Sequence, residues 1–368
     1  MTYDPIWMKR AIRNAEKARG TCSPNPFVGA VIVKAGKVIA DGWTQSYGSD
    51  HAEIHALKRA KGSVRGAEIY VTLEPCSHYG KTPPCAKALV EAGISKVYIG
   101  LIDPNPLVSG KGIRILEKAG IKVETGFFQN EIARQLEYFL CRMIRNRPFV
   151  IWKMALSLDG RFTAEDGSSK WITGELARAS THRLRSRVDV ILTGLGTVKA
   201  DDPALNCRIG KNPRQPVRAV IDPHLEIDPK AQLIRTAAQQ PTLVFCAEGS
   251  YEQSKALILQ NLKAEIIPLA MPDKYIDPAL ILKVLHERGC YSVMLEAGSE
   301  LCSIFLKHDL IDKVMWYYGS MILGGKHSIL NGFAVPDIDH AITLSDISSK
   351  KIGEDILISG YIHPQLLS

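Results

Sequence analysis

The 368-residue chain has no run approaching the roughly 18 to 20 uninterrupted apolar residues of a membrane span, so no membrane partner is expected. Its opening, Met1-Thr2-Tyr3-Asp4-Pro5, lacks the basic and then apolar run of a secretory signal, which makes the cytoplasm the expected compartment. Internal repeats and low-complexity tracts are missing too. Eight cysteines are scattered along the chain without a framework spacing, and a reducing compartment argues against disulfides. Only Cys76 and Cys85 stand in a setting that asks for chemistry; the other six read as small core residues. The net charge of +8 suits acidic partners, but there is no long basic run. Phosphorylated small molecules account for it as well as nucleic acid does.

What is present is a regular alternation. A helix is expected over residues 5–19, a strand pair over 28–33 and 38–42, and a helix over 52–61. Strand 68–73, helix 85–92, strand 96–101, helix 110–119 and a short strand at 121–123 follow. A helix over 131–144 leads to Arg145-Asn146-Arg147-Pro148, after which the alternation restarts at Phe149. Later strands are expected at 188–192, 217–221, 242–246, 292–295 and 313–318. The reading is an α/β protein of two domains, residues 1–146 and 147–368.

The sharpest pattern is His51-Ala52-Glu53, then Glu74-Pro75-Cys76, then Pro83-Pro84-Cys85. One imidazole and two thiolates suit Zn2+ and balance its charge. Three protein ligands leave a position for water, which the metal acidifies. Glu53, two residues after His51 in the first turn of a helix, is placed to move that water's proton. A structural zinc site normally has four protein ligands, so catalysis is favoured over a purely structural role. Nucleic-acid deaminases share this logic but close it with C-x-x-C. Here eight residues separate the cysteines. On that insert, Lys81 and Thr82 are candidates for holding a phosphate or ribose, and His78 reads as an outer group and not a fourth ligand.

These stretches, with SPNPFVGAVIV from Ser23, HAEIHAL from His51, VTLEPCSHYGKTPPC from Val71 and IGLIDPNPLVSGKG from Ile99, resemble the deaminase domain of the bifunctional riboflavin-biosynthesis deaminase/reductase. The resemblance implies a cytidine-deaminase-like three-layer fold and makes Asn25, Lys81 and Thr82 substrate contacts. The family usually has histidine after the Gly-aromatic pair; here Thr44 follows Gly42-Trp43 and cannot carry charge.

The second half has no complete G-x-G-x-x-G, which argues against a Rossmann domain. Its Gly-bearing turns, Gly194-Leu195-Gly196-Thr197 and Glu296-Ala297-Gly298-Ser299, each follow a strand. A helix starting near Ser299 offers free N–H groups to a phosphate. KMALSLDGR from Lys153, SKWITG from Ser169 and ILTG from Ile191 through Asp202-Pro203 resemble the reductase domain of the same family. That implies a dihydrofolate-reductase-like fold using NADPH. By position, Ala155, Trp171, Thr197, Asp201 and the run Gly298, Ser299, Glu300, Leu301, Cys302, Ser303, Ile304 would line the cofactor. Ser169, Arg185, Leu205, Arg208 and Glu296 would line the substrate, the two arginines suiting its phosphate. Pro223 stands where the family offers a hydroxyl, and Gly319-Ser320 where it has Ala-Pro. A proton donor for the reduction is not evident.

The resemblance therefore implies two consecutive riboflavin-pathway reactions on a phosphorylated pyrimidine, with no nucleic-acid partner and a homo-oligomeric state as the expectation. A nucleic-acid-editing deaminase would explain the zinc motif and the basic charge but not the insert or the attached second half. A zinc-stabilised binding module would make Glu53 dispensable.

Overall fold

The computed structural model describes residues 4–77, 79, 83–105, 108–211, 213–251 and 254–363. They divide into two compact units, one running to Arg145 and the other starting at Asn146. No helix among the described residues is long and apolar enough to cross a membrane.

The first unit is built on a five-stranded sheet of order β2-β1-β3-β4-β5. Its strands are β1 (Gly29–Lys34), β2 (Lys37–Trp43), β3 (Glu68–Leu73), β4 (Lys96–Leu101) and β5 (Lys122–Thr125). β1 runs antiparallel to both β2 and β3, whereas β3–β4 and β4–β5 are parallel. Ala30, Val31 and Ile32 of β1 and Ile69 and Val71 of β3 have no exposed surface, as expected for a sheet covered on both faces. Two glycines show how it is covered. A Cβ at Gly29 would meet Ala11 O at 1.9 Å, and one at Gly42 would meet Ala52 O at 2.1 Å. Gly42 pairs with Ala30, the neighbour of Gly29, and successive strand residues face opposite ways. Helix Pro5–Ala15 and helix Ala52–Arg59 therefore sit on opposite faces, giving three layers.

The first helix is shorter than the sequence suggests: it ends at Ala15, followed by a 3₁₀ turn over Glu16–Ala18. The helix expected over 131–144 is two, Gln129–Gln135 and Glu137–Arg145. At the break the buried Gln135 turns inward, donating to Ile12 O and Glu16 Oε1.

The second unit carries a nine-stranded sheet of order β10-β9-β8-β7-β11-β6-β12-β14-β13. The strands are β6 (Phe149–Leu156), β7 (Val190–Gly194), β8 (Val217–Ile221), β9 (Thr242–Ala247), β10 (Glu265–Leu269), β11 (Ser292–Leu295), β12 (Lys313–Tyr318), β13 (Ser345–Ile352) and β14 (Asp355–Tyr361). Those from β10 to β12 in that order are parallel; β14 and β13 close the edge antiparallel. Inserting β11 between β6 and β7 creates a switch point, where the carboxyl ends of the strands open a crevice. Trp152, Leu192, Phe245, Leu295 and Phe305 anchor one core below it. Two sequence departures have structural readings. A Cβ at Gly319 would meet Ile172 O at 1.9 Å, so glycine is what this contact accepts. Pro223 O accepts from Ala247 N, tying β8's exit to β9.

Candidate active sites

In the first unit His51 is the residue before helix Ala52–Arg59, and Cys85 opens helix Cys85–Glu91 behind Pro84. Cys76 follows β3 at its carboxyl end. The three come together: His51 Nδ1 lies 3.5 Å from Cys76 Sγ and 3.3 Å from Cys85 Sγ, and the Cys85 backbone N–H donates to Cys76 Sγ. Their ligand atoms all lie within 4.8 Å of one another, the one such group of histidine, cysteine or acidic side chains among the described residues. A hydrogen bond from the Cys85 thiol, together with the His51 ring, pulls Cys76 well below the usual thiol range against the effect of burial. The same bond, with burial, pushes Cys85 up. A dication held by both sulfurs would draw each of them to its thiolate form. One nitrogen and two sulfurs at this spacing suit zinc.

Glu53 is 3% exposed. Burial, then the Cys76 sulfur, hold its carboxyl up at about 7 against the opposing pull of His51. Glu74 has a different task, which its place in the motif does not reveal. Its buried carboxylate accepts four backbone N–H groups, from Asp103 and Gly110 on Oε2 and from Gly112 and Ile113 on Oε1, at 3.0 to 3.3 Å. It fastens the segment before Cys76 to the start of helix Lys111–Lys118.

Thr44, where the family resemblance led to histidine, is buried. Its hydroxyl accepts from Val28 N and donates to Pro26 O, so it braces the segment containing Asn25. Asn25 is partly buried, and its backbone N–H donates to Cys22 O. Lys81, Thr82 and His78 lie outside the described residues.

In the second unit a cavity of about 900 Å³ opens at the carboxyl ends of β6, β7, β8 and β11. That volume is at the upper end for small-molecule sites. On the side expected for the cofactor it is lined by Ala155, Trp171, Thr197 and Asp201. Gly298, Ser299, Glu300, Leu301 and Ile304 continue that lining. Two helices point their first turns at this space, Leu195–Asp201 behind Gly194 and Ser299–Lys307 behind Gly298. Neither has a side-chain cap. Their open N–H groups suit the phosphates of a dinucleotide. Cys302 and Ser303 correct the expectation. Helix Ser299–Lys307 turns both into the protein, at 0% and 1% exposure, and neither lines the cavity. Cys302 Sγ donates to Ala297 O, and Ser303 Oγ donates to Ser299 O.

Ser169, Arg185, Leu205, Arg208 and Glu296 line the same cavity. Arg185 is not directed as the phosphate reading supposed. Its Nε and Nη2 grip both oxygens of Glu296, and its Nη1 donates to Asn206 O. Arg208 is exposed and pairs with no carboxylate among the described residues. Lys153, unforeseen from the sequence, has its Nζ 3.7 Å from Glu296 Oε2. Burial pushes its ammonium below the usual lysine range. Burial opposes ionisation of Glu296 as well, yet Arg185 and Lys153 hold its carboxyl at about 2. A lysine inside the otherwise apolar strand run Phe149 to Leu156 was the available signal. His182 also lines the cavity unforeseen, and Arg178 lies over the Trp171 ring at 4.5 Å.

Known proteins resemble both units. A family model for the cytidine and deoxycytidylate deaminase zinc-binding region matches residues 1–101, and one for the RibD C-terminal domain matches residues 148–358. The chain is 39% identical over 362 residues to the riboflavin biosynthesis protein RibD of Bacillus amyloliquefaciens, covering 97% of this chain and 95% of that one. It is 37% identical over 335 residues to RibD of Escherichia coli, covering 87% and 89%. Among solved structures, the diaminohydroxyphosphoribosylaminopyrimidine deaminase/5-amino-6-(5-phosphoribosylamino)uracil reductase of Thermotoga maritima superposes with TM-score 0.86 at 35% identity, covering 97% and 98%. Acinetobacter baumannii RibD gives 0.86 at 34% identity with the same coverage. The cytidine-deaminase-like and dihydrofolate-reductase-like folds expected from the sequence therefore hold. With a zinc-type cluster in one unit, a dinucleotide-sized crevice in the other, and relatives matching along nearly the whole of both chains, this chain belongs to the RibD family of riboflavin biosynthesis proteins.

Proposed function

We propose that residues 1–146 hydrolyse the 2-amino group of 2,5-diamino-6-(5-phosphoribosylamino)pyrimidin-4(3H)-one, releasing ammonia, and that residues 147–368 reduce the ribosyl group of the product to ribityl with NADPH. The observation that carries the first step is the His51, Cys76, Cys85 cluster with buried Glu53 beside it. His51, Cys76 and Cys85 would hold zinc, whose Lewis acidity makes water a nucleophile at neutral pH. Glu53, held near neutrality, takes the water's first proton and passes it to the ring nitrogen. It then takes the second from the hydroxyl now on the ring carbon and passes it to the amine, which leaves as ammonia while the carbonyl forms. Asn25, Lys81 and Thr82 are assigned to substrate.

In the second domain NADPH supplies the hydride that C1′ of the sugar receives as its ring opens. The two uncapped helix N-termini and the lining from Ala155 to Ile304 would hold the cofactor; Ser169, Leu205 and Arg208 would hold the substrate. Glu296 presents an anion to ring N–H donors, and Arg185 keeps it ionised and fixed in direction. Among the described residues Lys153 is the one ammonium in contact with it, and it can give a proton to the opening sugar oxygen.

Incubation of the purified protein with the diaminopyrimidine, with and without NADPH, tests both steps. Mass spectrometry should show the deaminated ribosyl compound without NADPH and the ribityl compound with it. Unchanged substrate in both samples rejects the proposal.

A further inference from the structure

The cavity wall running from Asp201 to Arg208 is gripped by side chains at one carbonyl after another. Arg218 Nη1 donates to Ala204 O and Gln240 Nε2 to Leu205 O, each at 3.4 Å. Asn206 O is met at 3.1 Å by both Arg185 Nη1 and His182 Nδ1. The wall needs such holding, because Asp202 and Leu205 adopt positive φ without being glycine. His182 alone among these side chains also reaches Arg208: its Nε2 lies 3.3 Å from Arg208 Nη2.

Proton inventory fixes what His182 is. A carbonyl oxygen only accepts, so Nδ1 must carry the hydrogen that meets Asn206 O. A guanidinium only donates, so Nε2 must offer its lone pair to Arg208. Both contacts are satisfied by the neutral imidazole protonated at Nδ1 and by no other form. Its surroundings agree. Burial, then the positive charges of Arg185 and Arg208, lower the His182 pKa, against the weaker opposing effects of Asn206 O and Glu296.

We propose that His182 is a positioning residue that holds the exposed Arg208 guanidinium in place for the anionic group of the phosphorylated substrate. Arg208 sits on the surface with a long, rotamer-rich side chain and, among the described residues, no carboxylate to hold it. A neutral acceptor fixes its direction without cancelling its charge, which a carboxylate would do. The proposal rests on the reading that this domain binds a phosphoribosyl substrate.

The test measures reduction by the full-length protein of the deaminated substrate and of the same compound lacking its phosphate. In His182→Asn the carboxamide N–H still reaches Asn206 O but the side chain is too short for Arg208. KM for the phosphorylated compound should rise about tenfold, the loss expected for one hydrogen bond to a charged group, with kcat within about twofold. The unphosphorylated compound should be handled as by wild type. His182→Gln restores the reach, so its KM should return to within about threefold of wild type. Wild-type KM in the Asn variant, an equal loss on both compounds, or a Gln variant as poor as Asn each overturns the proposal. If wild type reduces neither compound, the functional reading fails on its own. Calorimetric titration with inorganic phosphate then decides the positioning role: weaker binding by His182→Asn than by His182→Gln supports it, and equal binding overturns it.

Discussion

Arg185 and Glu296 meet fork to fork, Nε to Oε1 at 2.8 Å and Nη2 to Oε2 at 2.9 Å, inside the reductase cavity. Both side chains are about seven-eighths buried, and the pair joins the helix Glu175–Arg185 to the turn after β11. Removing Arg185 takes the closer of two cations from Glu296 in a poorly solvated place, with Lys153 staying at 3.7 Å, which costs about 3 kcal/mol. Arg185→Met should therefore lower the stability of the reductase domain by that order in urea and abolish reduction. Ammonia release should be untouched. Equal loss of both activities would contradict this separation.

The same pair sets a pH dependence. Glu296 is held at about 2 by Arg185 and Lys153, below its ordinary 4.5, despite burial. A carboxyl depressed on folding stabilises fully above its unfolded pKa, and that stabilisation is lost as pH falls towards the folded one. The melting temperature of the reductase domain should fall between roughly pH 4.5 and 2. In Glu296→Gln the fall should be shallower. Parallel curves for the two proteins would remove Glu296 from the acid response.

Zinc and Glu53 are separable. Metal analysis of protein prepared without chelators should find one zinc per chain, and Cys76→Ser should lose it. Glu53→Gln keeps the shape of the side chain and should keep the metal, while ammonia release drops by at least ~100-fold. A variant that deaminates at a near-normal rate would return the site to a structural role.

The place of the domain cut matters to within one or two residues. Arg147 donates to both oxygens of the buried Asp312, and Asp312 also accepts from Val150 N. A fragment of residues 147–368 keeps this clamp and should reduce the deaminated substrate with NADPH, without zinc. A fragment starting at Phe149 should melt several degrees lower, as expected for a broken buried pair. A folded 147–368 fragment that does not bind NADPH would reject the assignment of the domain.

Much of this was legible along the chain because the signals were local. The His51, Glu53, Cys76 and Cys85 spacing carries ligand chemistry by itself, and short apolar runs such as Val188 to Leu192 and Ser292 to Leu295 mark buried strands. β13 was not legible: its Ser345–Ile352 run is almost wholly exposed and lacks an apolar alternation. β10 carries Pro268, which a sheet accepts at an edge. The pairing of Arg185 with Glu296 spans 111 positions, and no local pattern shows that one arginine is committed to a carboxylate while another is left to the cavity. Cys302 and Ser303 followed from a contiguous motif, but a helix sends neighbours to different sides.

The four amides gathered on Glu74 make the hydrogen-bonding state of a distant stretch depend on the residue two places before Cys76, a proposed metal ligand. Binding at Cys76 and protection of the Asp103, Gly110, Gly112 and Ile113 amides are then linked quantities, because whatever steadies one steadies the other. Hydrogen exchange at those four positions should slow when metal is added and quicken when it is stripped. The deaminase domain thus carries an internal reporter of its own metal occupancy, readable without any substrate.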